Sequence, residues 1–182
     1  MPKMNVLYIS GSPRVKSNTD HLLRLALART GGRFLKLAEF ETAPCRACWA
    51  CQGTGRCVID DDFSRNIAPQ LVESAAIVLG SPVFFNNVSG QLKIFMDRTW
   101  PLRGRLKNKI GGAVVVGRRY GLESALTAMN AFFLKHEMIP AGRGVCGIAY
   151  TAGEIEQDRE AAESAERLAE RILELGGMLG CS

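Results

Sequence analysis

The chain has 182 residues and a formal net charge of +5, from 23 lysines and arginines against 18 aspartates and glutamates. Its length fits one domain, residues 1–182, with a core large enough to fold without disulfide staples. Gly, Pro or a charge interrupts every apolar run short of membrane-spanning length. Met1-Pro2-Lys3-Met4 leads into a strand pattern without a signal-peptide cleavage site. Both features favour a cytoplasmic protein with no membrane partner. The cations are scattered and no aromatic stripe interleaves with them, which argues against nucleic acid and leaves a surface suited to anionic small molecules such as phosphates.

In chain order, a continuous apolar run over 4–10 predicts a strand buried on both faces, broken by Gly11-Ser12-Pro13-Arg14. Ser17 with Asp20 three residues on signals a capping box for a helix that carries Leu22, Leu23, Leu25, Ala26 and Leu27 and ends at Gly31-Gly32. Residues 33–37 make a second strand, a cysteine-rich loop occupies about 43–62, and 63–71 reads as a short helix with Asp60-Asp61-Asp62 as its cap. A third strand at 75–80 closes with Ser81-Pro82. Helical spacing over 88–98 aligns Leu92, Phe95 and Met96. A fourth strand spans 110–117, a helix 121–134, and a fifth strand, interrupted by Pro140 and glycines, lies within 138–149. The last helix, 154–175, places Ala165, Leu168, Ala169, Ile172 and Leu175 on one face and is stopped by Gly176-Gly177.

Five strands alternating with helices predict an α/β three-layer sandwich with a five-stranded parallel sheet of flavodoxin-like order 2-1-3-4-5. Ligands of such sheets bind at the carboxyl ends of the strands, beside the switch point, so the loops after Ser10, Gly80 and Gly117 are the informative ones. The first, residues 11–19, offers Ser and Thr hydroxyls, an Asn amide and cations, and delivers them to a helix N-terminus, where an anion is favoured. It lacks both the Walker ending and a GxGxxG turn. After the third strand, Phe84 and Phe85 beside glycine and amide groups suit a flat ring with a polar edge, although neighbouring positions point oppositely and one of the two belongs in the core.

The run GSPR followed by SNT, and then GSPVFFNNVSGQLKIFMDRT, resembles the NAD(P)H-dependent FMN reductase family of flavodoxin-like proteins over most of the chain. The resemblance implies that Ser10, Ser12, Arg14, Ser17, Asn18 and Thr19 surround the FMN phosphate. It further implies that Pro82, Val83, Phe84 and Phe85 line the flavin ring, with Gly117, Arg118 and Gly121 in a third contacting loop. Through the segment 89–99 it implies a homodimer or homotetramer.

Cys45, Cys48, Cys51 and Cys57 crowd into one glycine-containing loop with the spacing CxxCxxCxxxxxC. Disulfide frameworks spread their cysteines, so this clustering marks a site. Four closely spaced thiolates can surround one cubane cluster. The segment resembles the compact motif of iron–sulfur flavoproteins, a branch of the same family, which implies that these four ligate one [4Fe–4S] cluster with Arg46 and Arg56 offsetting its charge. Structural zinc, a redox disulfide and a metal-free folded loop are the competing readings. Cys146 reads as a buried strand residue, Cys181 as incidental, and Trp49 and Trp100 as packing groups. Neither His21 nor His136 is assigned a catalytic role.

A flavin carries its own redox chemistry, so no catalytic triad is expected and no residue is assigned a catalytic role. The resulting expectation is an FMN-dependent oxidoreductase reduced by NAD(P)H or a ferredoxin, passing electrons to a second flavin, a quinone, another small acceptor or the cluster. The alternative is a flavodoxin-like electron carrier with a protein partner and no small-molecule turnover. A metal-dependent regulatory module without flavin is disfavoured by the phosphate loop.

Overall fold

The computed structural model describes residues 4–181; Met1, Pro2 and Lys3, where a leader was sought, and Ser182 lie outside the described residues. Strands β1 (Val6–Ser10), β2 (Arg33–Lys36), β3 (Ala76–Pro82), β4 (Ile110–Gly117), β5 (Ile139–Pro140) and β6 (Val145–Ile148) form one parallel sheet. Its order is β2-β1-β3-β4, with β5 and β6 both on the outer edge of β4. β5 pairs with the start of β4 (Ile110 with Ile139) and β6 with its end (Val114 with Val145). The two pieces are therefore the single fifth strand of the sequence reading, split where Pro140 and glycines interrupt the ladder. The predicted order and fold class hold.

Alternation along the strands fills two cores because both faces of the sheet are covered. Leu7, Ile9, Ile77, Leu79 and Val115 pack against helices α2 (Ala68–Glu73), α3 (Gly90–Arg98) and α4 (Leu122–Lys135), where they meet Leu71, Leu92, Phe95, Met129 and Phe133. On the other face Val6, Tyr8, Val78 and Val114 pack against α1 (Asn18–Thr30) and α5 (Arg159–Met178), against Leu22, Leu23, Ala26, Ala169 and Ile172. Each fully buried Leu or Ile contributes about 1.5–3 kcal/mol, and these two layers fix the strand ends from which the functional loops leave.

Four local expectations need correction. The capping box is half formed: Ser17 Oγ accepts the Asp20 N–H at 3.1 Å, but the Asp20 carboxylate turns into the protein. The final helix splits, because Asp158 caps α5 by accepting the Ala161 N–H at 3.0 Å, leaving a short 3-10 turn at Glu154–Gln157 ahead of it. Gly176-Gly177 does not stop α5, which runs to Met178. Gly176 is instead a packing glycine, since a Cβ there would lie 2.4 Å from Met4 Sδ. Within the aspartate run, Asp61 does accept the Ser64 N–H at 3.3 Å, yet its main partner is a buried arginine from α3.

Candidate functional site

The loops after β1, β3 and β4 meet at the carboxyl edge of the sheet around a cavity of about 240 Å³. Ser12, Pro13, Arg14, Ser17, Asn18 and Thr19 line it from the first loop, Pro82, Val83 and Phe84 from the second, and Val116, Gly117 and Arg118 from the third. Ala149 and Tyr150, just beyond β6, close the fourth side. The sequence reading passed over these two, although the fifth strand ends on the same sheet edge as the others.

Ser10, Phe85 and Gly121, also expected here, do not line the cavity. Ser10 is fully buried behind the first loop, where its hydroxyl donates to Asp20 Oδ1 at 2.5 Å and accepts the Ser12 N–H at 3.2 Å. Phe85 (φ 47°) and Asn86 (φ 60°) form the tip of a tight turn closed by two backbone bonds between Phe84 and Asn87, at 2.9 and 3.0 Å. Positive φ at both central residues is the hairpin geometry of mirror-image turns, and a bulky aromatic there costs about 1–3 kcal/mol. Phe85 projects fully into solvent at this tip, so Phe84 is the aromatic that faces the cavity. Gly121 (φ 80°) lets the third loop pack under that turn, for a Cβ would lie 2.5 Å from Asn86 Cα.

The cavity is built to receive an anion. The first N–H groups of α1, on Asn18 and Thr19, have no backbone acceptor among the described residues. Neither the Arg14 nor the Arg118 guanidinium has a carboxylate partner among them. Asn18 spends its amide on structure: Nδ2 donates to the Thr151 carbonyl at 2.8 Å and Oδ1 accepts the Gly153 N–H at 2.7 Å. Glu154 steadies the same loop by accepting the Tyr150 and Thr151 N–H groups at 2.7 Å each, and those bonds hold its carboxyl below the ordinary carboxylate range. Val83, Phe84 and Tyr150 supply an apolar wall beside these donors.

A second cavity, of about 340 Å³, is lined by all four clustered cysteines. Trp49 and Trp100, packed edge to face with ring centroids 5.6 Å apart, wall it together with Val58, Ile59 and Pro101, and Arg46 and Arg98 add positive charge. Ala47 (φ 50°) and Trp49 (φ 59°) hold left-handed backbone between the thiols. That bend lets the Ala47 N–H donate to Cys45 Sγ at 3.4 Å. Burial pushes the Cys51 thiol up, and Cys57, Cys48 and Cys45 push it further. All six cysteines are free thiols. Among the described residues no three His, Cys, Asp or Glu side chains converge on a point suited to one metal ion. A cubane makes a different demand, one thiolate at each of four separate irons, and the four-thiolate donor set, the cavity and the N–H donated to sulfur fit it.

One buried arginine organises this loop. Arg98, 1% exposed, donates through Nη1 to Asp61 Oδ2 at 2.5 Å and the Ala43 carbonyl at 2.7 Å, and through Nη2 to Asp61 Oδ1 at 2.9 Å. The bidentate pair ties together the two stems of the cysteine loop. Burial alone would lower the Arg98 pKa, but the hydrogen bonds it donates to Asp61, and the charges of Cys57 and Asp61, raise it above the ordinary value. Its Nε is buried without a partner among the described residues, on a residue that lines the cysteine cavity.

The family model described as NADPH-dependent FMN reductase matches residues 4–153. An iron–sulfur flavoprotein of Methanocaldococcus jannaschii is 40% identical, the match covering 94% of this chain and 97% of that protein. Among solved structures, the Trp repressor binding protein of Bacillus subtilis superposes with a TM-score of 0.69 at 20% identity, over 90% of this chain and 97% of that one. A flavodoxin from the domain Archaea gives 0.59 at 15% identity, over 93% and 99%. The two structures speak for the fold alone, whereas the family model and the 40% identical relative decide the family. The chain belongs to the flavodoxin-like NADPH-dependent FMN reductase family, on its iron–sulfur flavoprotein-like branch.

Proposed function

We propose that this chain is an FMN-dependent oxidoreductase that moves electrons through FMN held at the sheet edge, with a [4Fe–4S] cluster on Cys45, Cys48, Cys51 and Cys57 as a second carrier. The observation that carries the reading is the convergence on one cavity of an open helix N-terminus, two unpaired guanidiniums and an aromatic wall. In this reading Ser12, Arg14, Ser17 and Thr19, together with the backbone N–H of Asn18, take the phosphate, with Ser10 holding the loop from behind. Pro82, Val83 and Phe84 flank the ring, Phe85 caps the turn beside it, and Gly117, Arg118 and Gly121 form the third side. Bound FMN supplies exchange between hydride donors and one-electron acceptors, and a cluster carries single electrons. The chain's own part is to place the ring against an apolar wall, neutralise the phosphate, and shield the thiolates behind Trp49 and Trp100. NAD(P)H or a ferredoxin is the electron donor of this reading, and a homodimer or homotetramer built on the segment 89–99 is its assembly.

Anaerobic purification followed by an absorbance spectrum with iron and sulfide assays tests it. FMN with about four irons per chain supports the full reading. FMN without iron, even after anaerobic reconstitution, removes the cluster and leaves a flavin reductase. A colourless protein that takes up no FMN overturns the proposal. Bleaching of the flavin band by NADH or NADPH in the same sample separates a reductase from a carrier reduced only by a protein partner.

A further inference from the structure

Behind the phosphate loop lies a buried ion pair that the function described above does not use. Lys36 ends β2 and Asp20 sits in the first turn of α1, each less than one-tenth exposed. The parallel register sets Lys36 beside Ser10 at the carboxyl end of β1. From there its ammonium donates to Asp20 Oδ2 and to the Arg14 carbonyl, both at 2.5 Å. The other Asp20 oxygen accepts the Ser10 hydroxyl at 2.5 Å, and Ser10 Oγ accepts the Ser12 N–H at 3.2 Å. Asp20 is thus linked by hydrogen bonds to the backbone of Ser12 and Arg14, the two loop residues whose side chains open the cavity. Neither Lys36 nor Asp20 lines that cavity.

The placement has an electrostatic consequence. A carboxylate buried at the foot of an anion site, in a medium where charge is poorly screened, repels a phosphate across the loop. It also opposes the favourable end of the α1 dipole. Lys36 cancels that charge from the far side and at the same time pins the loop at the Arg14 carbonyl. Arg14 and Arg118 are left without a carboxylate to compete for them, and their field acts on the ligand.

Resting on the FMN reading, we propose that Lys36 and Asp20 are positioning residues that set the cavity's preference for a phosphorylated flavin over the same ring without phosphate. Lys36 acts by cancelling the Asp20 charge, which leaves the field of Arg14 and Arg118 to the phosphate.

Titrating apo-protein with FMN and with riboflavin, followed by flavin fluorescence, measures the preference directly. Wild type binds FMN more tightly than riboflavin. In Lys36→Met the buried carboxylate is uncompensated, and FMN affinity falls by about tenfold or more while riboflavin affinity moves by about twofold or less. The double variant Asp20→Asn/Lys36→Met removes the charge as well as its partner and recovers most of the FMN loss. Asp20→Asn alone leaves a free cation and keeps or raises the ratio of FMN to riboflavin affinity, which provides a readout even where Lys36→Met folds poorly. Parallel loss of FMN and riboflavin in Lys36→Met, or a double variant no better than Lys36→Met, overturns the proposal and leaves the pair a purely structural one. A fall in the ratio for Asp20→Asn overturns it too. A wild-type protein that binds neither flavin sinks the FMN reading itself, a result distinct from these.

Discussion

At the scale of the residue, His136 shows how one buried ring couples stability to pH. The Thr99 hydroxyl donates to the Met96 carbonyl at 2.7 Å, so toward His136 it acts as acceptor, and the 2.8 Å contact places the ring hydrogen on Nε2. Nδ1 is buried without a partner among the described residues. Burial, and after it the charges of Arg103 and Lys135, hold the imidazole below its ordinary pKa. The unfolded chain takes up this proton near pH 6.5 and the folded protein only at lower pH. The neutral ring's contribution is therefore fully present above about pH 6.5 and is lost as pH falls from there through the folded value. Denaturant unfolding at pH 7, 6 and 5 should show a midpoint that drops across this window. His136→Gln should start about 1 kcal/mol lower at pH 7, having lost a buried bond, but decline with a shallower slope. Equal slopes for the two proteins would remove His136 as the titrating group.

At the scale of the element, α3 joins the two candidate sites. Its first turn is capped by Ser89, whose hydroxyl donates to the Gly11 carbonyl at 2.6 Å beside the phosphate loop, and its last turn carries Arg98 into the stems of the cysteine loop. Burial pushes the Asp61 carboxyl up, yet hydrogen bonds from Arg98, Ala43 and Ser64 outweigh it and hold Asp61 below the ordinary range. Removing one partner leaves a buried charge alone, so Arg98→Met should cost about 3–5 kcal/mol, with Asp61→Asn/Arg98→Met recovering part of the loss. Proteolytic cuts within 43–62 should appear in the single variant before the sheet unfolds; a loop that stays protected would show that its hold lies elsewhere. This clamp was not legible in the sequence. Arg98 and Asp61 stand 37 positions apart, and only the packing of α3 beside the loop brings them together. Lys36 and Asp20 were missed for the same reason, although a lysine at the end of an otherwise apolar strand, in register with Ser10, was a usable signal. What could be read was local: apolar strand runs, the split fifth strand, and the phosphate and cysteine loops, whose donors lie within a few residues of one another. Gly176 misled because a glycine that stops a helix and one that lets Met4 approach look alike until the partner is placed.

At the scale of the whole molecule, the two cavities share no lining residue: one opens at the carboxyl edge of the sheet and the other beside the last turn of α3. The anion-binding cavity draws on residues 12–19, 82–84, 116–118 and 149–150, and the cysteine cavity on residues 45–59 and 97–101. Between them runs α3, whose 9 residues span about 13 Å at the helical rise. Both hydrophobic cores are built without any of the four clustered cysteines. Those thiols are exposed or half-buried, and apart from the bond that Cys45 accepts they make no hydrogen bond among the described residues. If the loop holds the proposed cluster, replacing Cys45, Cys48, Cys51 and Cys57 together by serine should therefore abolish iron and sulfide binding while FMN content per chain stays at the wild-type level. The circular dichroism spectrum should be unchanged. Loss of FMN alongside iron would mean that the cysteine loop shapes the flavin cavity through α3, and that the two centres are one cooperative unit rather than two sites on a common scaffold.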